Sequence, residues 1–144
     1  MTLEQILEEW KKDCVVDKLA LDEESLKTIS LHCKYIELYK KEKLAFIKLK
    51  QDYNKLHLAK YEFYFMGPDE ETQKLGWELP PRGKVIKGDV QMYMDGDQDI
   101  INANLKLAMA QEKVDLLVEI VKEVQNRRWA IKNAIDFMKW NTPA

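Results

Sequence analysis

Neither glycine nor proline occurs before residue 67 of this 144-residue chain, and all five glycines and three of the four prolines fall between Gly67 and Gly96. The strongest helix breakers are thus confined to one window, with long uninterrupted segments on either side. Histidine is limited to His32 and His57 and cysteine to Cys14 and Cys33, so groups that activate nucleophiles or shuttle protons are scarce. The two histidines fall on one expected helix about 25 residues apart and cannot converge within it. No Walker-type or Rossmann glycine pattern occurs, and no nucleophile elbow. Cys14, His32, Cys33 and His57 fit the spacing of no standard zinc site. Catalysis, a metal and a cofactor are therefore not expected.

Long apolar runs are also missing. No stretch approaches the roughly eighteen apolar residues of a membrane span, and no apolar signal segment follows Met1. Together with the sparse cysteines this points to a reducing cytoplasm. What is present is 46% hydrophobic and 33% charged residues, enough for a core in one domain of this length and suited to long solvated helices.

The net charge of -2 conceals segregation. Residues 1–26 carry eight acids and three lysines, 27–60 nine lysines and three acids, 62–99 nine acids and four basic residues, and 105–140 seven basic residues and five acids. A basic stretch such as 27–60 suits phosphate contact, although solvated lysines on ordinary helices look the same.

Thr2 and Gln5 form a capping-box pattern ahead of Leu3, Ile6, Leu7 and Trp10, which predicts a helix over Leu3 to Asp13. Asp22, Glu23 and Glu24 offer the next helix start, and the segment then runs unbroken to about Phe65. A helix about 60 Å long at 1.5 Å per residue cannot bury itself in a compact monomer of this size and must kink or find partners. Residues 67–96 read as an irregular connector, with a short strand at Val90 to Met94 where polar and apolar residues alternate. Asp95, Asp97 and Asp99 resemble a calcium loop. Ile100 replaces its central glycine and Lys106 its final glutamate, so helix capping is the better account.

From Ile100 onward Ala103, Leu107, Ala110, Val114, Leu117, Val121, Val124, Arg128, Ile131, Ile135 and Met138 recur three and four residues apart, the a/d spacing of a coiled coil. A second row including Ile101, Leu105, Leu116, Ile120 and Phe137 widens the apolar stripe, so this helix requires neighbours on two sides. The long second helix folded back antiparallel can serve as one and another subunit as the other; a monomeric bundle burying both rows is the alternative. The expected fold is all-α: a long antiparallel helical hairpin with a short N-terminal helix (1–66 in all), an irregular connector (67–96) and a C-terminal heptad helix (97–140), in one domain; the family resemblance given below implies that it assembles into a homo-oligomeric ring.

Lys48, Lys50, Lys55 and Lys60 lead into Tyr61, Phe63, Tyr64 and Phe65, with Tyr53 and His57 among them. Cations beside rings that stack on bases are the general recipe for single-stranded nucleic acid; rings packed in a core beneath solvated lysines are the competing reading. Asn126-Arg127-Arg128-Trp129-Ala130-Ile131-Lys132 gathers two of the three arginines beside a tryptophan. On the heptad frame Arg128 falls on the apolar seam, Arg127 and Lys132 off it. A seam charge must meet an acid or mark where the seam opens.

The opening Leu3-Glu4 with Glu8-Glu9-Trp10-Lys11-Lys12-Asp13 resembles the start of the UvsY family, the recombination mediators of T-even and related phages. The 126–132 segment is similar to that family's Arg-Gly-aromatic-x-Ile-Lys signature, with Arg128 where glycine is usual. Asp95 to Ile101 and Gln111-Glu112-Lys113-Val114 resemble cyanophage-type members. The resemblance implies a homo-oligomer, a hexamer or heptamer, that binds single-stranded DNA, displaces the phage single-strand-binding protein and loads a RecA-like recombinase. It associates a Lys-Ala-Arg-Leu stretch with DNA contact, and this aligns with Leu58-Ala59-Lys60-Tyr61, keeping Lys60 as its one cation. The expected strand-contacting residues are Lys48, Lys50, Lys55, His57, Lys60, Tyr61, Tyr64, Arg127 and Lys132. Those expected in oligomerisation are Leu107, Val114, Leu117, Val121, Val124, Arg128, Trp129, Ile131, Ile135 and Met138. A coiled-coil scaffold that touches only proteins is the rival function.

Overall fold

The computed structural model describes residues 1–142. Among them are helices α1 (Leu3–Asp13), α2 (Leu21–Met66), α3 (Glu70–Lys74), α4 (Val90–Asp95) and α5 (Gln98–Asn141), a 3-10 turn at Lys87–Asp89 just before α4, and no strand.

The helix ends follow from local chemistry. Thr2 accepts from the Gln5 amide at 3.1 Å and its own amide donates to Gln5 Oε1 at 2.8 Å, closing the capping box of α1. The α2 helix begins at Leu21, so Asp22, Glu23 and Glu24 form its first turn and complement the positive helix end. It stops at Gly67, whose φ of 95° is open to glycine at little cost and whose amide closes on Phe63 O at 2.9 Å, with Pro68 following. Asp97 caps α5: its Oδ1 accepts from the amides of Asp99 at 2.9 Å and Ile100 at 3.2 Å. That confirms the capping reading of this aspartate.

The connector departs from expectation at Val90 to Met94, which is helical instead of extended. Val90 and Met94 are both fully buried. Four residues apart, they share one side of a helix, and no neighbouring strand exists among the described residues to complete a sheet.

The chain divides into two compact units, one of Met1–Ala45 with the chain from Ala110 onward, the other of Phe46–Met109. The first is a three-helix arrangement around Ile6, Leu31, Tyr35, Leu117, Ile120 and Val124, all at most 5% exposed, with Trp10, Leu38 and Val121 packed alongside. Glu42 meets Lys113 at 3.6 Å and Glu24 meets Arg127. As α2 advances α5 therefore retreats, the expected antiparallel pairing. Lys34 ties α1 to α2 through Glu9 at 2.7 Å and Asp13 at 2.6 Å, and the Tyr35 hydroxyl donates to Asp13 at 2.7 Å. The second unit packs Phe63, Tyr64, Val85, Val90, Met94 and Ile100. Val85 N donates to Tyr64 O at 2.9 Å, fastening the connector to the last turns of α2.

The inward row of α5 differs from the heptad expectation after Leu117. It passes through Ile120, Val124, Arg127 and Ile131, while Val121 is only partly buried and Arg128 is exposed. The two sequence rows lie one residue, or about 100°, apart on the helix. Packing against α1 and α2 keeps Val124 and Ile131 of the heptad row but turns Ile120 and Arg127 inward in place of Val121 and Arg128, so it is Arg127, not Arg128, that carries charge into the interior and meets an acid.

Candidate nucleic-acid interface

The lysines of α2 in the second unit are divided between two faces. Lys48 and Lys55 are seven apart and exposed on one face; Lys50, exposed, and His57, half-buried, are seven apart on another. The offset of two residues separates these rows by roughly 160° around the helix. Between them runs an outward stripe of Ile47, Leu58 and Phe65, exposed by 42%, 59% and 45%. Exposed lysines on two sides thus flank apolar and aromatic surface. Lys50 Nζ lies 5.5 Å from the Tyr53 ring centroid, and Tyr53 lies 5.9 Å from His57. Half-buried Tyr61 stacks on Phe65 at 6.4 Å. The aromatic run is split: Tyr61 and Phe65 reach the surface, whereas Phe63 and Tyr64 are core residues.

Lys60 does not join either row. It is 3% exposed, with its ammonium 3.1 Å from Asp97 Oδ2, 2.9 Å from Asp99 Oδ2 and 4.0 Å from the Trp77 ring centroid. Expected among the strand-contacting cations, it is instead enclosed within the fold, its charge already met by both carboxylates. Tyr64, also expected to meet a strand, is buried and donates its hydroxyl to Asp97 at 2.6 Å. Burial, then Asp97, push that hydroxyl far above the ordinary phenol range. Burial alone would raise the Asp97 carboxyl, but the Tyr64 hydroxyl, the Ile100 amide and Lys60 outweigh it and hold it below the ordinary range. Trp77, Asp97 and Asp99 are the partners sequence reasoning did not supply. Asp97 was legible as a cap, but nothing in local spacing assigns it a lysine 37 positions earlier.

In the first unit Arg127 is likewise removed from solvent. It donates to the carboxylate of Glu24 and, at 3.3 Å, to the Glu24 carbonyl oxygen, and it is 6% exposed. The expectation of Arg127 as a strand contact is therefore corrected, because its charge is already compensated inside the fold. Lys132 is exposed, 5.2 Å from the Trp129 ring.

The residues expected at subunit contacts also separate. Leu107, Val114, Leu117, Val124 and Ile131 are buried within the chain, at most 9% exposed; they build the fold and are not offered to a second copy. Val121 and Ile135 are partly buried, and Arg128, Trp129 and Met138 are exposed. Trp129 and Arg128 line an apolar groove of about 680 Å3 with Leu26, Ile29, His32 and Val124. Leu26, Ile29 and Trp129 are 72%, 65% and 62% exposed there, and the end of α5 adds Phe137 and Trp140 at 70% and 87%. These are large apolar side chains that the protomer leaves uncovered.

Among the described residues no helix is long and apolar enough to cross a membrane, and no cluster of His, Cys, Asp or Glu could hold a metal ion.

A family model described as recombination, repair and ssDNA binding protein UvsY matches residues 9–142. Crystal structures of the bacteriophage T4 recombination mediator protein UvsY superpose closely. The lattice type IV form gives a TM-score of 0.81 at 18% identity over 99% of this chain and 100% of that one. The lattice type II form gives 0.81 at 21% identity over 97% of each. At these identities the structural likeness is one of fold. No match is found among curated protein sequences. With the family model spanning nearly the whole chain, the protein belongs to the UvsY family of recombination, repair and single-stranded-DNA-binding proteins.

Proposed function

We propose that this protein acts as a homo-oligomeric recombination mediator: it binds single-stranded DNA, helps displace the phage single-strand-binding protein and loads a RecA-like recombinase. The observation that carries the reading is the set of exposed lysines, Lys48 and Lys55 on one side and Lys50 on the other, flanking Ile47, Leu58 and Phe65 on α2, in a chain of a single-strand-binding family. Lys48, Lys50 and Lys55 attract phosphates, with His57 and Tyr61 on the adjoining face and Lys132 with Trp129 as a second cation and ring pair. One copy presents only a few such groups, so tight binding comes from several copies acting on one strand.

Assembly is assigned to the surface the fold leaves uncovered. Leu26, Ile29, Arg128 and Trp129 around the groove, with the partly buried Val121 and Ile135 and the exposed Met138 further along α5, receive a second copy; a hexameric or heptameric ring repeats that contact. The work then takes place in the host cytoplasm, where strand, recombinase and single-strand-binding protein meet.

Electrophoretic retardation tests the reading. A labelled oligothymidylate is expected to shift at moderate salt while the matching duplex shifts far less. A protein that assembles but retards neither is a scaffold with protein partners only, and the mediator reading falls.

A further inference from the structure

We infer that Lys60 is a positioning residue, an internal clamp that fastens the connector and the start of α5 to α2, and not a contact for the DNA backbone. An ammonium has three donors and no other bonding capacity. Here the ammonium pairs with the carboxylates of Asp97 and Asp99, 3.1 and 2.9 Å away, and lies 4.0 Å from the face-centre of Trp77. Three segments far apart in sequence meet on one atom. Each is itself anchored. Trp77 packs edge-on to Phe63 at 5.5 Å, and Asp97 takes the Tyr64 hydroxyl at 2.6 Å while capping α5 through the amides of Asp99 and Ile100. Lys60 stands where these anchors converge, at 3% exposure.

Charge leads to the same assignment. One lysine between two aspartates leaves the cluster net negative, so an approaching phosphate is repelled, and Asp97 is too firmly held to step aside. The connector lacks long elements of its own, so without the cation the two carboxylates repel each other and Trp77 is left without its charged partner. Trp77 and Asp99 also wall a groove of about 510 Å3 with Tyr53 and Lys106, so the clamp shapes surface beside Lys50 without touching a ligand.

The test is a double-mutant cycle on the full chain with Lys60→Met, Asp99→Asn and both, read by urea unfolding, with oligothymidylate binding followed against salt. Lys60→Met is expected to lower the folding equilibrium constant at least about 100-fold, as removing one partner of a buried pair does. The double variant is expected to be no worse than Lys60→Met. The slope of log affinity against log salt stays at the wild-type value. Additive effects, or a slope smaller by about 0.7 with stability intact, which is the signature of one phosphate fewer neutralised on a single strand, overturn the inference. Should Lys60→Met not fold, Lys60→Arg decides: a guanidinium that reaches both carboxylates and lies on the indole restores most of the stability, and a loss as large as that of Met contradicts the clamp. The slope arm rests on the proposed strand binding. If the wild-type chain binds no oligonucleotide, that reading fails while the unfolding cycle still decides the clamp.

Discussion

Arg127 reaches back 103 positions to donate to both the carboxylate and the carbonyl oxygen of Glu24. The two side chains are 5% and 10% exposed, and Arg127 Nε and Nη1 find no further partner among the described residues. The pair thus carries an uncompensated desolvation cost, and its value to stability is asymmetric. Glu24→Ala strands a buried guanidinium and is expected to cost about 3–5 kcal/mol. Arg127→Met is milder, because Lys27 Nζ lies 4.0 Å from Glu24 and still offsets its charge. The double variant Glu24→Leu with Arg127→Met should be at least as stable as either single one. Urea midpoints of the three variants check the order.

Strand affinity should depend on the exposed lysines in proportion to the phosphates each meets. Replacing Lys50 or Lys55 by Gln is expected to weaken oligothymidylate binding across sequences and reduce the salt slope by about 0.7 for each phosphate no longer neutralised. The thermal midpoint should hardly move, since both side chains are exposed. An unchanged slope in both variants would place the strand on another surface.

Acid should loosen Asp13 and Asp97, two partly buried carboxylates that the fold holds below their ordinary range. For Asp13, burial raises the carboxyl but the hydrogen bonds from Lys34 and Tyr35 outweigh it, and Asp97 has the balance already described. A depressed folded pKa contributes stability that is fully present above the unfolded value, near 3.9, and is lost as pH falls through the lower folded value. Stability is therefore expected to decline below about pH 4, and Asp97→Asn should flatten that decline while lowering stability at neutral pH. Unfolding midpoints between neutrality and strong acid test the sign.

Assembly and folding should respond to different substitutions on the same helix. Trp129→Glu places charge on the exposed groove and is expected to disperse the oligomer without lowering the unfolding midpoint of the protomer. Leu117→Asp puts an unpaired charge into a fully buried position and should unfold the first unit, at a cost of several kcal/mol. Light scattering with circular dichroism separates the two outcomes. Dispersal by neither, with the fold intact in Trp129→Glu, would move the subunit interface elsewhere.

Much of the architecture was written locally. The capping box at Thr2, the run without breakers from Leu21 to Met66 and the cap at Asp97 each depend on residues close to one another along the chain, and such signals survive in any tertiary setting. The site was less legible because its decisive facts are not local. Lys60 and Arg127 look like solvated cations until Asp97, Asp99 and Glu24 are brought to them from distant segments. The choice of Ile120 and Arg127 over Val121 and Arg128 illustrates the same limit. With Leu117, Val124 and Ile131 either pair completes a three-and-four spacing, and only packing against α1 and α2 decides which turns inward. At Val90 to Met94 a period of two and a period of four coincide over five residues, so alternation could not distinguish strand from helix.

If several copies bind one strand together, sedimentation of the full chain with a fluorescent oligothymidylate reveals it. The labelled strand should move with a species several times the 17.0 kDa protomer, and Trp129→Glu should abolish both that species and tight binding. A strand that sediments with single protomers at undiminished affinity, or does not move with the protein at all, would contradict the account.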